Sequence, residues 1–233
     1  MDKFDRILSS VIDSHLGLRS KLIGYQYSEI IRAIFSVFCC GGDCMEDLNL
    51  YLKDVLAERP HTRVPSADTV LRGIEELATE NISYTAEKTG NVYDFNTAER
   101  LNQLLIKLLL ATGQLAEGGE YDVDFDHQFL EAEKYDSKRT YKGFDGYSPG
   151  VFTIGGLIAY TMFLLITAMA ANFYRYIVAL PLMAVLFGIK ATDRVKSFLF
   201  RFIAVPAKWV RTARQYKLNI YSNKPYKLIW EHG

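Results

Sequence analysis

Little in this chain points to cross-linking or export. Its 233 residues include three cysteines, and Cys39, Cys40 and Cys44 are bunched together. That odd cluster is no disulfide framework, and it fits a reducing compartment. A tetrahedral zinc site needs a fourth ligand from His15, His61 or His127, at no recognised spacing; small residues packing at a helix end explain the cluster more simply. The first residues, Met1-Asp-Lys-Phe-Asp-Arg, carry both charges with no apolar run behind them, so no secretory signal is expected. Carboxylates are nearly missing after Gly150, where only Asp193 and Glu231 remain. An apolar fraction of 49% and a charged fraction of 23% exclude a wholly disordered or fibrous chain. The length suffices for one or two domains with a core.

The charge that is present is unevenly placed. Lys and Arg total 27, and so do Asp and Glu. Residues 1–150 hold 16 basic and 25 acidic side chains, whereas residues 151–233 hold 11 basic ones and those two acids. Such a split implies halves with different partners. The basic half suits nucleic acid or an anionic membrane surface.

Ile30, Ile31, Ile34, Phe35 and Phe38 recur at helical spacing behind Ser28, a candidate cap, and Gly41-Gly42-Asp43 stops that helix. Met45 to Leu56 reads as a second helix with Leu48, Leu52, Val55 and Leu56 on one side. Pro60 and Pro65 punctuate the next loop. Ser66 then caps a third helix with Asp68 in its first turn. Helix, short turn and helix with a polar start is the pattern of a helix-turn-helix. Arg63, Thr69 and Arg72 are its candidate DNA contacts, although plain structural packing gives the same pattern. The many acids nearby oppose strong phosphate binding by this half alone. Thr89-Gly90-Asn91 marks a hairpin turn. Asn96-Thr97 caps a helix to Thr112 that buries Leu101, Leu104, Leu105, Leu108 and Leu109, and Gly113 ends it.

Asp122, Asp124 and Asp126 alternate with Val123 and Phe125. In a strand this places three carboxylates on one face. They repel one another unless a cation sits among them, and oxygen ligands of this kind suit Mg²⁺ or Mn²⁺. A solvated edge strand accounts for them equally well. The missing glycine and terminal glutamate exclude an EF-hand loop. Further on, Lys138, Arg139 and Lys142 interleave with Tyr135, Tyr141 and Tyr147, either to hold a nucleic-acid backbone or as an exposed loop. Val151 to Asn172 is uncharged and long enough to span a bilayer. The basic cluster from Lys190 to Lys227 reads either as a positive-inside flank or as a DNA-facing helix behind a buried core helix.

Several stretches carry a resemblance. They are Gly24-Tyr-Gln-Tyr-Ser-Glu-Ile-Ile-Arg, Cys40-Gly-Gly-Asp-Cys, Pro65-Ser-Ala-Asp-Thr-Val-Leu-Arg and Tyr93-Asp-Phe-Asn-Thr-Ala, then Tyr121-Asp-Val-Asp-Phe-Asp-His-Gln and Tyr141-Lys-Gly-Phe-Asp-Gly-Tyr-Ser-Pro-Gly. Towards the C-terminus come Ile189-Lys-Ala-Thr-Asp-Arg-Val-Lys and Val205-Pro-Ala-Lys-Trp-Val-Arg-Thr-Ala-Arg-Gln-Tyr. In these the chain resembles DDE-class insertion-sequence transposases, most closely the insertion-sequence thirteen-eighty group. The resemblance implies an RNase H-like catalytic core behind a helical DNA-binding region, and strand cleavage and transfer at the ends of a mobile element. It implies two divalent metals, Mg²⁺ or Mn²⁺, held by Asp, Asp and Glu, which activate water or a 3′-hydroxyl. The first of those carboxylates lies on the first strand of the core. Asp124 is the first choice, as catalytic residue and metal ligand, then Asp122 and Asp126.

One departure is decisive for the expected activity. Family members continue after Gly150 through further strands, the second catalytic Asp and the Glu. Here neither Asp193 nor Glu231 matches a catalytic motif, so an internal deletion near residues 150–160 is read.

The expected fold is α+β and mainly helical, in three parts. Residues 1–115 form a helix-turn-helix-like DNA-binding region with Arg63, Ser66, Thr69 and Arg72. Residues 116–150 form the first strands of an incomplete core with a small sheet. Residues 151–233 form apolar helices and a basic region around Arg194, Lys196, Arg201, Lys208, Arg211 and Arg214, with Trp209 as its anchor. The apolar face of Tyr160–Ile189, having lost its partner, is expected to be exposed.

The expected partners are the terminal inverted repeats of an insertion sequence, a second copy of the chain, or intact transposase; no small-molecule substrate is expected. The expected location is the bacterial cytoplasm and nucleoid. The alternative is a small membrane protein with one or two spans in 151–189 and a basic cytoplasmic tail.

Overall fold

The computed structural model describes residues 2–19, 24–42, 44–90, 92–95, 98–135, 137–161, 165–212 and 215–228. The chain is α+β, with helices and small antiparallel sheets. It divides into two compact units, Met1–Glu76 with Phe173–Gly233, and Leu77–Asn172.

The first unit begins with α1 (Asp2–Leu16) and α2 (Tyr27–Cys39). Gln26, not Ser28, caps α2. Its side chain and that of Glu29 reciprocally satisfy the first amides, with Gln26 N–H donating to Glu29 Oε2 at 2.8 Å. Ser28 lies one residue inside the helix and donates its hydroxyl to Asp13 at 2.7 Å, tying α2 to α1. Ile30, Ile31 and Ile34 are buried as the spacing requires.

The expected second helix is a π-helical turn, Leu48–Leu52, running into the short α3 (Lys53–Ala57). A π turn adds a residue and rotates the helical turn behind it. Leu48 is therefore buried while Val55 is 65% exposed, rather than sharing one side. The next helix, α4 (Ala67–Glu75), starts as expected, with Ser66 Oγ accepting the Thr69 amide. It packs on α2 through Gly73, where a Cβ would stand 2.3 Å from Ile30 Cδ1.

The second unit opens with a hairpin, β1 (Ile82–Thr85) and β2 (Val92–Phe95). Gly90, at φ +68°, lies between the strands. The leucines of α5 (Glu99–Ala111) are buried at Leu101, Leu104, Leu105, Leu108 and Leu109. The expected caps Asn96 and Thr97 lie outside the described residues. Six further strands are β3 (Val123–His127), β4 (Leu130–Glu131), β5 (Lys138–Arg139), β6 (Asp145–Tyr147), β7 (Gly150–Ile154) and β8 (Leu157–Thr161). They form two antiparallel sheets, ordered β3-β7-β8 and β4-β6-β5.

The uncharged run after Gly150 is thus not one helix. It begins as the β7–β8 hairpin, turned by Gly155 and Gly156 at φ +56° and +74°, and only then enters α6 (Leu165–Ala179). Leu109, Leu115 and Ala159 form a small core among Leu110, Phe152, Ile154 and Leu157.

Two buried asparagines bind the backbone of β8. Asn102 on α5 donates to Thr161 O at 3.1 Å and accepts Thr161 N–H at 3.0 Å. Asn172 on α6 does the same at Ile158, at 2.6 and 3.0 Å. Each side-chain amide supplies the donor and acceptor that a neighbouring strand would supply.

The remainder returns to the first unit. It comprises α7 (Pro181–Phe187), α8 (Val195–Phe198) leading into a π-helical turn (Leu199–Ile203), and a ribbon of β9 (Ala207–Thr212) and β10 (Gln215–Ile220). Val178, Met183, Phe187, Ile189, Phe198 and Tyr226 form its core. The large described apolar residues of 160–189, expected to be exposed, are instead buried or half-buried, with Val185 at 80% the exception. The expected basic C-terminal helix is also corrected, because Lys208 and Arg211 stand on β9. No single described helix is long and apolar enough to cross a membrane. Only α6 and α7 together, across a 69° bend, reach that length and apolarity.

Replacing Asn102 with Leu strips the partners from two buried backbone groups. It should destabilise the protein by about 2–6 kcal/mol in urea unfolding, at about 1–3 kcal/mol per orphaned group. Thr161 is the reverse case, since its Oγ1 is buried with no hydrogen-bond partner among the described residues. Thr161→Val should be neutral or stabilising by about 1 kcal/mol in the same measurement.

Candidate functional site

Three of the four candidate DNA contacts around α4 are engaged within the protein. Arg63 makes a two-pronged ion pair with Glu29, at 2.9 Å from Nε and 2.7 Å from Nη2. It also donates to Gly24 O at 3.0 Å and lies 4.9 Å from the centre of the Tyr25 ring. The hydroxyls of Ser66 and Thr69 are 2.9 Å apart and Ser66 caps the helix, so both close the start of α4. Arg72 differs. Its Nε reaches only Asp68 O in its own helix, at 3.3 Å, and the side chain is exposed.

Glu29 is the hub of this region, since it completes the α2 cap and holds Arg63. Burial alone would raise its pKa, but the hydrogen bonds from Arg63 and the Gln26 amide, with the charge of Arg63 and Arg32, hold it below the usual carboxylate range. Arg32, Arg59 and Arg63 line a small cavity beside Glu29. Sequence pattern does not single out Arg32 or Arg59. The available signal is the place of Arg32, one turn beyond Glu29 on α2.

The carboxylate strand exists. Asp124 and Asp126 lie on β3, facing Thr153 and Val151 of β7 in register, and Asp122 directly precedes the strand. The Asp122 carbonyl extends the ladder by accepting Gly155 N–H at 2.8 Å. Every residue of β3 is exposed, including Val123 at 61% and Phe125 at 58%, and the strand is an edge of its sheet.

Alternate side chains on a strand are separated by about 7 Å of backbone, and Asp126 Oδ1 turns back to the His127 amide at 2.8 Å. Among the described residues no three His, Cys, Asp or Glu side chains gather to hold a metal. Mg²⁺ demands near-octahedral ligands at about 2.1 Å. The described residues assemble no three-ligand group for Mg²⁺ or Mn²⁺, and no chemical step is assigned through one.

The remaining candidates are scattered. Lys138 and Arg139 form β5, with Arg139 3.8 Å from Asp145. Lys142 sits 4.6 Å from the centre of the Phe129 ring. On the C-terminal ribbon Lys208 is exposed and Arg211 lies 5.7 Å from the Tyr216 ring. Arg214 falls outside the described residues. Burial, with Cys40 beside it, pushes the Cys39 thiol up to about 11, so it stays protonated at neutral pH.

Comparison with protein-family models, curated proteins and solved structures finds no match to this chain.

The depressed pKa of Glu29 has a definite sign. Its contribution to stability is complete above the unfolded carboxylate value of about 4.3 and is lost as pH falls through the lower folded value. Wild-type urea midpoints should therefore drop as pH is lowered below about 4. In Arg63→Met the hydrogen bonds and charge of Arg63 are removed, the Gln26 amide and Arg32 alone oppose burial, and the Glu29 pKa rises. That variant should be destabilised near neutrality and should regain part of the loss on acidification.

Proposed function

We propose that this chain is a DNA-binding protein derived from a DDE-class transposase, with the catalytic core incomplete. One structural observation carries the DNA-binding part: α4 packs across α2 behind a turn-bounded short helix, its start closed by Ser66 and its Arg72 exposed. That is the arrangement a helix-turn-helix module needs to present one helix to a groove. The ordered motifs from Gly24 to Tyr216 support the family.

The RNase H-like part of the reading rests on β3, β7 and β8. Three strands in which the aspartate-bearing first one keeps an open edge and exposed side chains on both faces are what an internal deletion of later strands would leave. Asp124 is then the residual first carboxylate. Without a second Asp and a Glu, the two-metal clamp for in-line displacement is missing, so the chain binds element ends without cutting them. In that role it competes with intact transposase for the terminal inverted repeats, alone or in a mixed oligomer.

The test is a gel shift on duplexes made from the DNA flanking the chain's own coding region, against scrambled duplexes, with and without Mg²⁺. Selective binding without cleavage is expected. Arg72→Ala should weaken it by about 1–3 kcal/mol if that side chain reads a base. Equal binding to scrambled DNA would remove the reading. Mg²⁺-dependent cleavage that Asp124→Ala abolishes would show that the catalytic core is complete after all.

A further inference from the structure

The C-terminal ribbon separates its side chains into two chemically distinct faces. In the β9–β10 register Lys208 faces Asn219, Val210 faces Lys217 and Thr212 faces Gln215. Cross-strand partners share a face, so Lys208, Lys217, Asn219 and Gln215, all four exposed, stand together around the half-buried Val210. The intervening pairs are Ala207–Ile220, Trp209–Leu218 and Arg211–Tyr216. Trp209, Leu218 and Ile220 are half-buried, and Ile220 packs on the core of Phe187, Phe198 and Tyr226. Tyr216 meets the His61 ring edge-on at 6.2 Å and carries Arg211 over its face. One face therefore holds the ribbon to the body of its unit, and the other is turned outward.

The geometry points to this outward face as a double-stranded DNA-binding surface that enters the major groove. The inference rests on the DNA-binding reading and adds a second element to it. The major groove is about 12 Å wide and admits a two-stranded ribbon. Six residues per strand give a length of about 20 Å.

The chemistry is complementary. The ribbon contains no carboxylate, and Asp193 is the one acid between residues 190 and 227, against ten basic residues. Lys208 and Lys217 have no ion-pair partner among the described residues. By contrast Arg201 is taken up by Gly188 O and Asp193, and Lys224 by Arg201 O. The two free ammonium groups suit phosphates or guanine edges, and the amides of Asn219 and Gln215 suit adenine edges. Arg211, singled out by the sequence as a contact, is a positioning residue that braces Tyr216.

The experiment measures affinity against salt for the full chain on a flanking-DNA duplex and on a random duplex. It compares wild type, Lys208→Gln/Lys217→Gln, Arg211→Gln and Arg72→Gln. Circular dichroism checks folding, which outward-facing changes should leave intact. The double variant should bind both duplexes more weakly, with a log affinity–log salt slope shallower by about 2. Arg211→Gln should change the slope by less than about 1. Substituting 7-deazaadenine, which lacks the major-groove N7 acceptor, should weaken wild type severalfold, and Asn219→Ala/Gln215→Ala should reduce that difference.

Wild-type binding that still prefers flanking DNA and still responds to Arg72→Gln, but that Lys208→Gln/Lys217→Gln leaves unchanged, would overturn the ribbon while sparing the α4 reading. Binding that depends on the ribbon but neither prefers flanking DNA nor responds to Arg72→Gln would overturn the α4 reading and keep the ribbon. No binding to either duplex would overturn both. Loss of binding to single-stranded RNA or anionic vesicles in the double variant, with duplex DNA ignored, would assign the face to another polyanion and overturn the proposal.

Discussion

Backbone hydrogen bonding at strand edges is the constraint that shapes this chain. Among the described residues its sheets have two or three strands, so each is mostly edge. An unmet buried amide or carbonyl costs as much as a lost hydrogen bond. At β8 the chain answers with side chains. Asn102 and Asn172 reach from α5 and α6 and imitate the next strand at Thr161 and Ile158. That arrangement ties both helices to β8, and Ala159, between the two bound residues, is fully buried against Leu109 and Leu115. At β3 the edge stays open in the described structure, and charge stands along it instead. Aspartates on an exposed edge discourage pairing with other strands. The same three residues that suggest a metal site thus have a structural use.

The first unit is organised by charge as well as by packing. Glu29 closes the start of α2 and reaches across to Arg63 in the loop before α4. Arg19 does the equivalent at the other end of α4. It holds Glu76 with two hydrogen bonds of 2.7 and 2.5 Å and donates to Tyr25 O at 2.8 Å. The two arginines bracket α4 against the segment before α2. Bidentate guanidinium pairs of this kind are geometrically selective, which suits a helix that must present one side chain, Arg72, in a fixed direction.

The periodic elements were legible in the sequence. The leucines of α5, the isoleucines of α2, the Ser66 cap and the turn at Gly90 all obey local rules that need no tertiary partner. The strand around Asp124 was legible too, through its alternation. The features that escaped depend on distance or on ambiguity. Arg63 and Glu29 are 34 positions apart, so nothing local marks the arginine as already engaged. An uncharged run such as 151–172 has no polar beat to separate a hairpin from a helix; only Gly155-Gly156 marks the turn. The ribbon at 207–220 reads as a basic helix because its lysines and arginines fall near helical spacing. Its β-branched and aromatic content was the weaker signal.

The way the chain is threaded has a consequence for its synthesis. The first unit is discontinuous, with Leu77–Asn172 inserted between its two segments, and α6 runs without a break across the second boundary. Residues 1–76 therefore leave the ribosome well before the residues that complete their unit. The inserted unit has all its own strands and α5 in hand earlier, so the order of maturation reverses the order of translation. During that interval the α2 face at Phe35 waits for its late contact, the Phe173 ring stacked at 6.3 Å. Contacts of such long sequence separation form slowly and leave apolar surface open meanwhile.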